Sequence, residues 1–145
     1  MISVLEQYNN YDCIDLVLAE LKINPTFLVL SGITQKEYFL KIDQNSVFIK
    51  YHHADKLAGF ISFYCNNYET KEAFITLVLV DIEFRGLKIG KKMFGDLFEF
   101  IKNKNFEKCS LEVRQNNVSA LKLYESLGFE QSLKMDDSVI MTMKV

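Results

Sequence analysis

Hydrophobic positions follow two different periods along this chain, and the switch between them predicts its elements. Ile2 to Tyr8 reads as a short strand. From Asp12 to Lys22, Cys13, Ile14, Leu16, Val17, Leu18 and Leu21 form a broad apolar stripe, which predicts a helix ending before Asn24-Pro25. Thr34 to Ile42 reads as a second helix, with Thr34 as N-cap and Glu37 at the capping-box spacing. Ser46–Tyr51 and Leu57–Cys65, rich in Phe, Ile, Val and Tyr, then predict a hairpin around His-His-Ala-Asp-Lys. Glu72–Val80 is a third strand in this hairpin region, and its near-continuous apolar run predicts burial on both faces. Helical spacing returns with Ile89, Met93, Phe94, Leu97, Phe98 and Ile101. Lys108–Arg114 alternates, with Cys109, Leu111 and Val113 on one face and Ser110, Glu112 and Arg114 on the other. Asn117–Leu127 predicts a last helix stopped by Gly128. Phe129–Lys134 and Ser138–Val145 follow as strands flanking Met135-Asp136-Asp137.

The order β-α-α-β-β-β-α-β-α-β-β predicts an α+β (mixed α/β) fold, a mostly antiparallel twisted sheet with helices on both faces. With 145 residues, one proline and no repeat, a single domain over 1–145 is expected. Ser138–Val145 is read as an edge strand through which two copies could pair as a homodimer.

Composition narrows the function. A chain that is 49% hydrophobic with a net charge of −2 is not disordered. Its longest apolar run, Ala73 to Val80, is too short for a membrane span. The N-terminus has no basic stretch leading into an apolar one, so a soluble cytoplasmic protein is expected. Cys13, Cys65 and Cys109 are far apart, and His52 and His53 have no cysteine at zinc spacing; reduced thiols and no metal are expected. Cys109 reads as core, and the histidines as solvated residues at a strand end. The mild acidity speaks against a nucleic-acid partner. Charge is nevertheless uneven: residues 1–84 hold 6 basic and 11 acidic side chains, residues 85–145 hold 11 and 8.

The basic excess is densest in Phe84-Arg85-Gly86-Leu87-Lys88-Ile89-Gly90-Lys91-Lys92, which joins a buried strand to a helix. Helix N-termini carry a partial positive charge and favour acidic side chains. Lys91 and Lys92 in that place make sense if an anion lies over the free first-turn N–H groups, with glycines allowing close approach. The spacing fits neither a Walker A loop nor the G-x-G-x-x-G fingerprint.

What it does resemble is the coenzyme A signature Q/R-x-x-G-x-G/A of the GCN5-related N-acetyltransferase (GNAT) family. Arg85 and Gly90 hold its first and last positions, and Lys88 stands where the central glycine would be. A lysine there leaves two possibilities: a negative φ in the loop, or some lost affinity, with its charge within reach of a phosphate. Further on, Asn117, Ala120, Leu123, Tyr124, Gly128 and Phe129 match the family's N-x-x-A-x-x-L-Y-x-x-x-G-F element. The preceding Leu111-Glu112-Val113-Arg114 is similar to the family members that acetylate protein N-termini, the ribosomal-protein alanine acetyltransferases in particular.

The resemblance implies a GNAT-like sheet and direct acetyl transfer from acetyl-CoA to a primary amine, either a protein N-terminus or a small molecule such as an amino sugar or polyamine. It implies that Glu112 acts as base and Tyr124 as proton donor to the leaving thiol. The N–H groups near Leu79 and Val80 would polarise the thioester carbonyl. Arg85, Gly86, Leu87, Lys88, Ile89, Gly90 and Lys91 would hold the pyrophosphate, and Asn117 would contact the cosubstrate. Plainer readings stay open at this point: Asn117 as a helix cap, Tyr124 as a packed aromatic bonded to a carbonyl, Glu112 as an ion-paired carboxylate. So do a non-catalytic acyl-CoA-binding module and a nucleotide-binding module. Asp12, Asp15, Glu20, Glu37, Glu69 and Glu72 are candidates to attract a cationic acceptor.

Overall fold

The computed structural model describes residues 7–145. The strand expected over Ile2–Tyr8 lies outside them except for Gln7 and Tyr8, which are not in a strand: Gln7 is 3-10 helical and Tyr8 lies in a bend. Helices α1 (Tyr11–Ile23) and α2 (Gln35–Asn45) precede strands β1 (Val47–His53), β2 (Lys56–Tyr64) and β3 (Glu72–Val80). Then come α3 (Ile89–Asn103), β4 (Lys108–Arg114), α4 (Val118–Leu127), β5 (Glu130–Lys134) and β6 (Ser138–Lys144). No helix among the described residues is long and apolar enough to cross a membrane.

Local chemistry accounts for the helix ends. Thr34 accepts the Glu37 N–H at 3.2 Å and donates to the Glu37 carboxylate at 3.0 Å, so the predicted cap forms. Gly128 closes α4 at φ +107°, a backbone that favours glycine. Asn10, ahead of α1, makes no side-chain cap of its own. There the Asp43 carboxylate of α2 takes the Asn9 and Asn10 N–H groups at 2.9 and 2.8 Å.

Among the described residues, six strands form one sheet in the order β1-β2-β3-β4-β6-β5. All pairs are antiparallel except β3–β4. β6 is therefore enclosed by β4 and β5, and the expectation of an edge strand over Ser138–Val145 fails. The final hairpin folds back so that its second strand, with buried Val139 and Met141, takes the interior place. Among the described residues the edges are β1 and β5. Helices α1 and α2 cover one face through Ile14, Val17, Phe39 and Ile42 against Phe60, Leu77 and Leu79. Helix α3 covers the other, burying Met93, Phe94, Leu97 and Ile101 at 0% exposure, each contributing about 1.5–3 kcal/mol.

An irregularity in β3 positions everything that follows. Ser62 faces Leu77 and Phe63 faces Ile75, which leaves Thr76 unpaired in a β-bulge. Its hydroxyl lies 2.6 Å from Ser62 Oγ and donates to Ser62 O at 3.0 Å. The extra residue reverses the alternation, so Ala73 and Ile75 face α3 while Leu77 and Leu79 face α1 and α2. Burial on both faces is thus reached by the bulge, although Phe74, Thr76, Val78 and Val80 stay only half-buried. Pairing of β3 with β4 covers Glu72–Phe74 against Lys108–Ser110 and stops just before the bulge. Beyond it the two parallel strands separate, and a gap opens between Ile75–Val80 and Leu111–Arg114.

Candidate active site

Both parallel strands run toward the open end of this gap, and each is followed by a helix that starts there. In open sheets with parallel strands, that crevice beyond the carboxyl ends is where ligands bind. The gap's β3 wall has a defined polarity. The Asp81 N–H donates to Ala58 O at 2.8 Å, and Val80 stands opposite Gly59. Since adjacent residues turn their N–H groups to opposite sides of a strand, the N–H groups of Val80 and Val78 face the gap. Leu79 turns its amide toward β2 instead. Of the pair singled out in the sequence, only Val80 aims its N–H at the opening; Val78 was missed, because its orientation follows from register alone.

The loop ahead of α3 forms the mouth. Lys88 caps the helix at φ +62°, ψ +23°, left-handed backbone, so the negative-φ possibility does not hold. The first helical bond runs from Lys92 N to Lys88 O at 3.3 Å, and no side chain caps the turn. Among the described residues, the N–H groups of Ile89, Gly90 and Lys91 therefore have no acceptor. A Cβ on Gly90 would meet nothing within 4 Å. Nothing among the described residues requires glycine at this helical position, where alanine would be about 1 kcal/mol better, and the open space suits a ligand pressed against the backbone. A pyrophosphate fits these donors.

The four cations of the loop divide. Lys88 and Lys91 are exposed and have no carboxylate partner within 4.0 Å among the described residues. Lys92 lies over the Tyr51 ring, 5.8 Å from its centroid. Arg85 turns away from the cradle: Nη2 bonds Glu20 Oε1 at 2.7 Å, and Nε donates to Val80 O at 3.0 Å. Gly86 and Leu87 are exposed between them.

Across the gap, Asn117 caps α4, its side chain accepting the Ala120 N–H at 3.2 Å. Tyr124, two turns on, packs edge-on against Phe94 and Phe129, each at 6.0 Å between ring centroids. Its hydroxyl has no hydrogen-bond partner among the described residues, so the bond to a carbonyl considered above is absent. Burial pushes its pKa above the usual tyrosine value, which keeps it a proton donor. Glu112 is exposed and pairs with no cation among the described residues; its Oε2 accepts from Ser138 Oγ at 2.5 Å. Leu111 and Val113 belong to the α3 side of the core, so Glu112 points to the opposite face. Glu112 and Tyr124 thus lie on opposite faces of the sheet, Glu112 on the β4 wall of the gap and Tyr124 against the α3-side core.

Other sequence candidates are placed elsewhere. Cys109 and Cys13 are fully buried, with burial pushing the Cys109 thiol up to about 12. His52 and His53 are exposed at the end of β1, the His53 ring tilted against Phe84 with 5.3 Å between centroids. Asp12 is tied to Lys50 at 2.9 Å. No group of three or more His, Cys, Asp or Glu among the described residues could hold a metal ion.

Comparison with known proteins agrees with this geometry. A family model described as the acetyltransferase (GNAT) family matches residues 18–129. An uncharacterized N-acetyltransferase of Methanocaldococcus jannaschii is 31% identical over 99 residues, 66% of this chain and 43% of that protein. The ribosomal protein bS18-alanine N-acetyltransferase of Salmonella typhimurium is 26% identical over 99 residues, 68% of this chain and 65% of that enzyme. The chain thus spans less than two thirds of either relative. Among solved structures, the PaiA N-acetyltransferase of Thermoplasma acidophilum in complex with coenzyme A shares the fold, with a TM-score of 0.69 at 20% identity over 92% of this chain and 94% of that one. The family match takes in the bulged strand, the anion loop and the helix carrying Tyr124, and the chain belongs to the GNAT acetyltransferase family.

Proposed function

We propose that the chain is an acetyl-CoA-dependent N-acetyltransferase that moves the acetyl group directly to a primary amine. The observation that carries this reading is the gap between β3 and β4, with unpartnered N–H groups at its mouth and Glu112 on its β4 wall. Acetyl-CoA supplies the acetyl group as a thioester. Ile89, Gly90 and Lys91 donate backbone N–H groups to its pyrophosphate, with Lys88 adding charge. The Val78 and Val80 N–H groups line the thioester arm and favour negative charge on the carbonyl oxygen. Glu112 takes a proton from the incoming ammonium, which frees the nitrogen lone pair to attack the carbonyl carbon. As the C–N bond forms and the C–S bond breaks, Tyr124 gives its proton to sulfur. The proton that nitrogen sheds on becoming an amide restores the phenol.

The face around Glu112 supports an acceptor whose amine sits on an apolar or small neutral group. Glu112, Ile140 and Leu133 stand side by side across β4, β6 and β5, and Leu133 and Met135 are 58% and 46% exposed. Of the carboxylates expected to draw in a cation, Asp12 and Glu20 are engaged with Lys50 and Arg85. A protein N-terminus or a small amine with one charge fits this wall better than a polyamine does.

Calorimetric titration with acetyl-CoA, alongside coenzyme A and ATP at fixed salt, tests the cosubstrate; absence of acetyl-CoA binding overturns the reading. Tyr124→Phe is expected to lower kcat about 10²-fold with acetyl-CoA affinity unchanged. A fully active phenylalanine variant would remove Tyr124 from the mechanism.

A further inference from the structure

Two acidic side chains are buried among the described residues, Asp43 at 7% and Glu20 at 8% exposure. Asp43 has a structural explanation, since it binds the N–H groups that start α1. Glu20 has no such duty. The only side-chain partner of its carboxylate among the described residues is Arg85 Nη2, 65 positions away in sequence. A buried carboxylate is unfavourable unless paired, and an apolar residue would extend the Cys13, Ile14, Val17 stripe of α1. The pair therefore needs an explanation outside packing.

The second bond of Arg85 supplies one. Its Nε donates to Val80 O, while the Asp81 N–H of the same peptide donates to Ala58 O. That peptide is held from both sides, and it follows the residue whose N–H faces the gap. A guanidinium is a rigid fork, so anchoring Nη2 on Glu20 aims Nε–H at Val80. Without Glu20, Arg85, whose side chain is 44% exposed, is free to swing into solvent or onto an anion in the adjoining cradle.

We propose that Glu20 is a positioning residue for acetyl transfer: acting through Arg85, it fixes the Val80 backbone at the mouth of the gap and couples α1 to the anion loop. The inference rests on the acetyl-transfer reading, which places the thioester against Val80. It extends that reading to a residue of α1 that touches neither the thioester nor the amine.

Glu20→Leu keeps the site apolar and removes the anchor; Glu20→Gln keeps an oxygen for Nη2. In the leucine variant kcat is expected to fall about 10-fold with the KM for the amine unchanged, and glutamine is expected to restore kcat to within about threefold of wild type. Amide hydrogen exchange on the free protein gives a second readout that a purely structural role would not move selectively. Asp81 is expected to exchange about 10-fold faster in Glu20→Leu while Leu77, further down the strand, is unaffected. If Glu20→Leu fails to fold, Arg85→Lys, which lacks the Nε–H, carries the same expectations. Unchanged kcat in an active enzyme, or unchanged Asp81 exchange, overturns the role of Glu20. A wild-type protein that neither binds acetyl-CoA nor acetylates any amine overturns the acetyl-transfer reading and the role with it, and is told apart by the wild-type titration.

Discussion

Lys88 is where this chain departs from the glycine of the coenzyme A signature, and its backbone turns that departure into a measurable quantity. At φ +62° a residue with a Cβ is strained by about 1–2 kcal/mol relative to glycine. Glycine gives back about 0.4–1 kcal/mol through its freer unfolded chain. Lys88→Gly is therefore expected to be more stable than Lys88→Ala by about 1 kcal/mol, because both lose the ammonium but only glycine loses the strain. For a chain of 145 residues the unfolding entropy is roughly 0.3 kcal/mol/K, so the gap amounts to about 3 °C in Tm. Calorimetric scans of the two variants read it directly. Titration of acetyl-CoA into wild type and Lys88→Ala then isolates the charge, and the exposed ammonium is expected to be worth about two- to fivefold in Kd. An alanine variant as stable as the glycine variant would refute the strain, and an unchanged Kd would refute the phosphate contact.

Three other expectations follow from the same structure. Glu112→Gln is expected to lower kcat about 10²-fold or more, whereas Ser138→Ala, which removes a donor from one oxygen of Glu112, lowers it less; steady-state kinetics on both variants checks the order. Burial pushes the Asp12 carboxyl up, but the Lys50 hydrogen bond and charge outweigh it and hold the pKa below 3.8. A depressed carboxylate stabilises the fold above its unfolded pKa, so Lys50→Met should cost no more than about 1 kcal/mol at pH 7, a difference that vanishes in denaturant titrations as pH falls from about 4 through the lowered value. With its thiol near 12, Cys109 has a thiolate fraction at pH 8 of about 10⁻⁴. Maleimide labelling of the native protein should then modify half-buried Cys65 first and reach Cys109 and Cys13 only in denaturant.

What was legible in the sequence is what neighbours along the chain decide among themselves. The Thr34 and Asn117 caps, the Gly128 stop and the stripe of α3 are each set within a few residues, and each stands where its spacing predicts. The loop proposed to hold an anion stands out in the sequence for a related reason. Lysines at a helix start, beside a glycine that no packing requires, conflict with what an isolated helix would choose, and such a conflict can be seen without a fold. Features that depend on two distant segments left no comparable trace. Thr76 reads as one more residue of an apolar strand, yet its bulge separates β3 from β4 and decides which valine amides face the gap. Ser138–Lys144 alternates as an edge strand would, and only the return of β5 outside it makes it interior. Arg85 looks like a phosphate ligand until Glu20 is known to lie beside it, and Glu20 looks like any carboxylate near the end of a helix. Local composition thus identifies where an anion can rest. In the proposed reaction, placing the acyl carbon requires the register of β2 on β3, which puts Val80 opposite Gly59. A Cβ at Gly59 would come within 2.9 Å of Leu79 O, so even this ordinary-looking glycine is held by the close approach of β2 and β3. On the proposed reading, the transfer site is therefore a property of strand pairing, with the signature loop supplying its entrance.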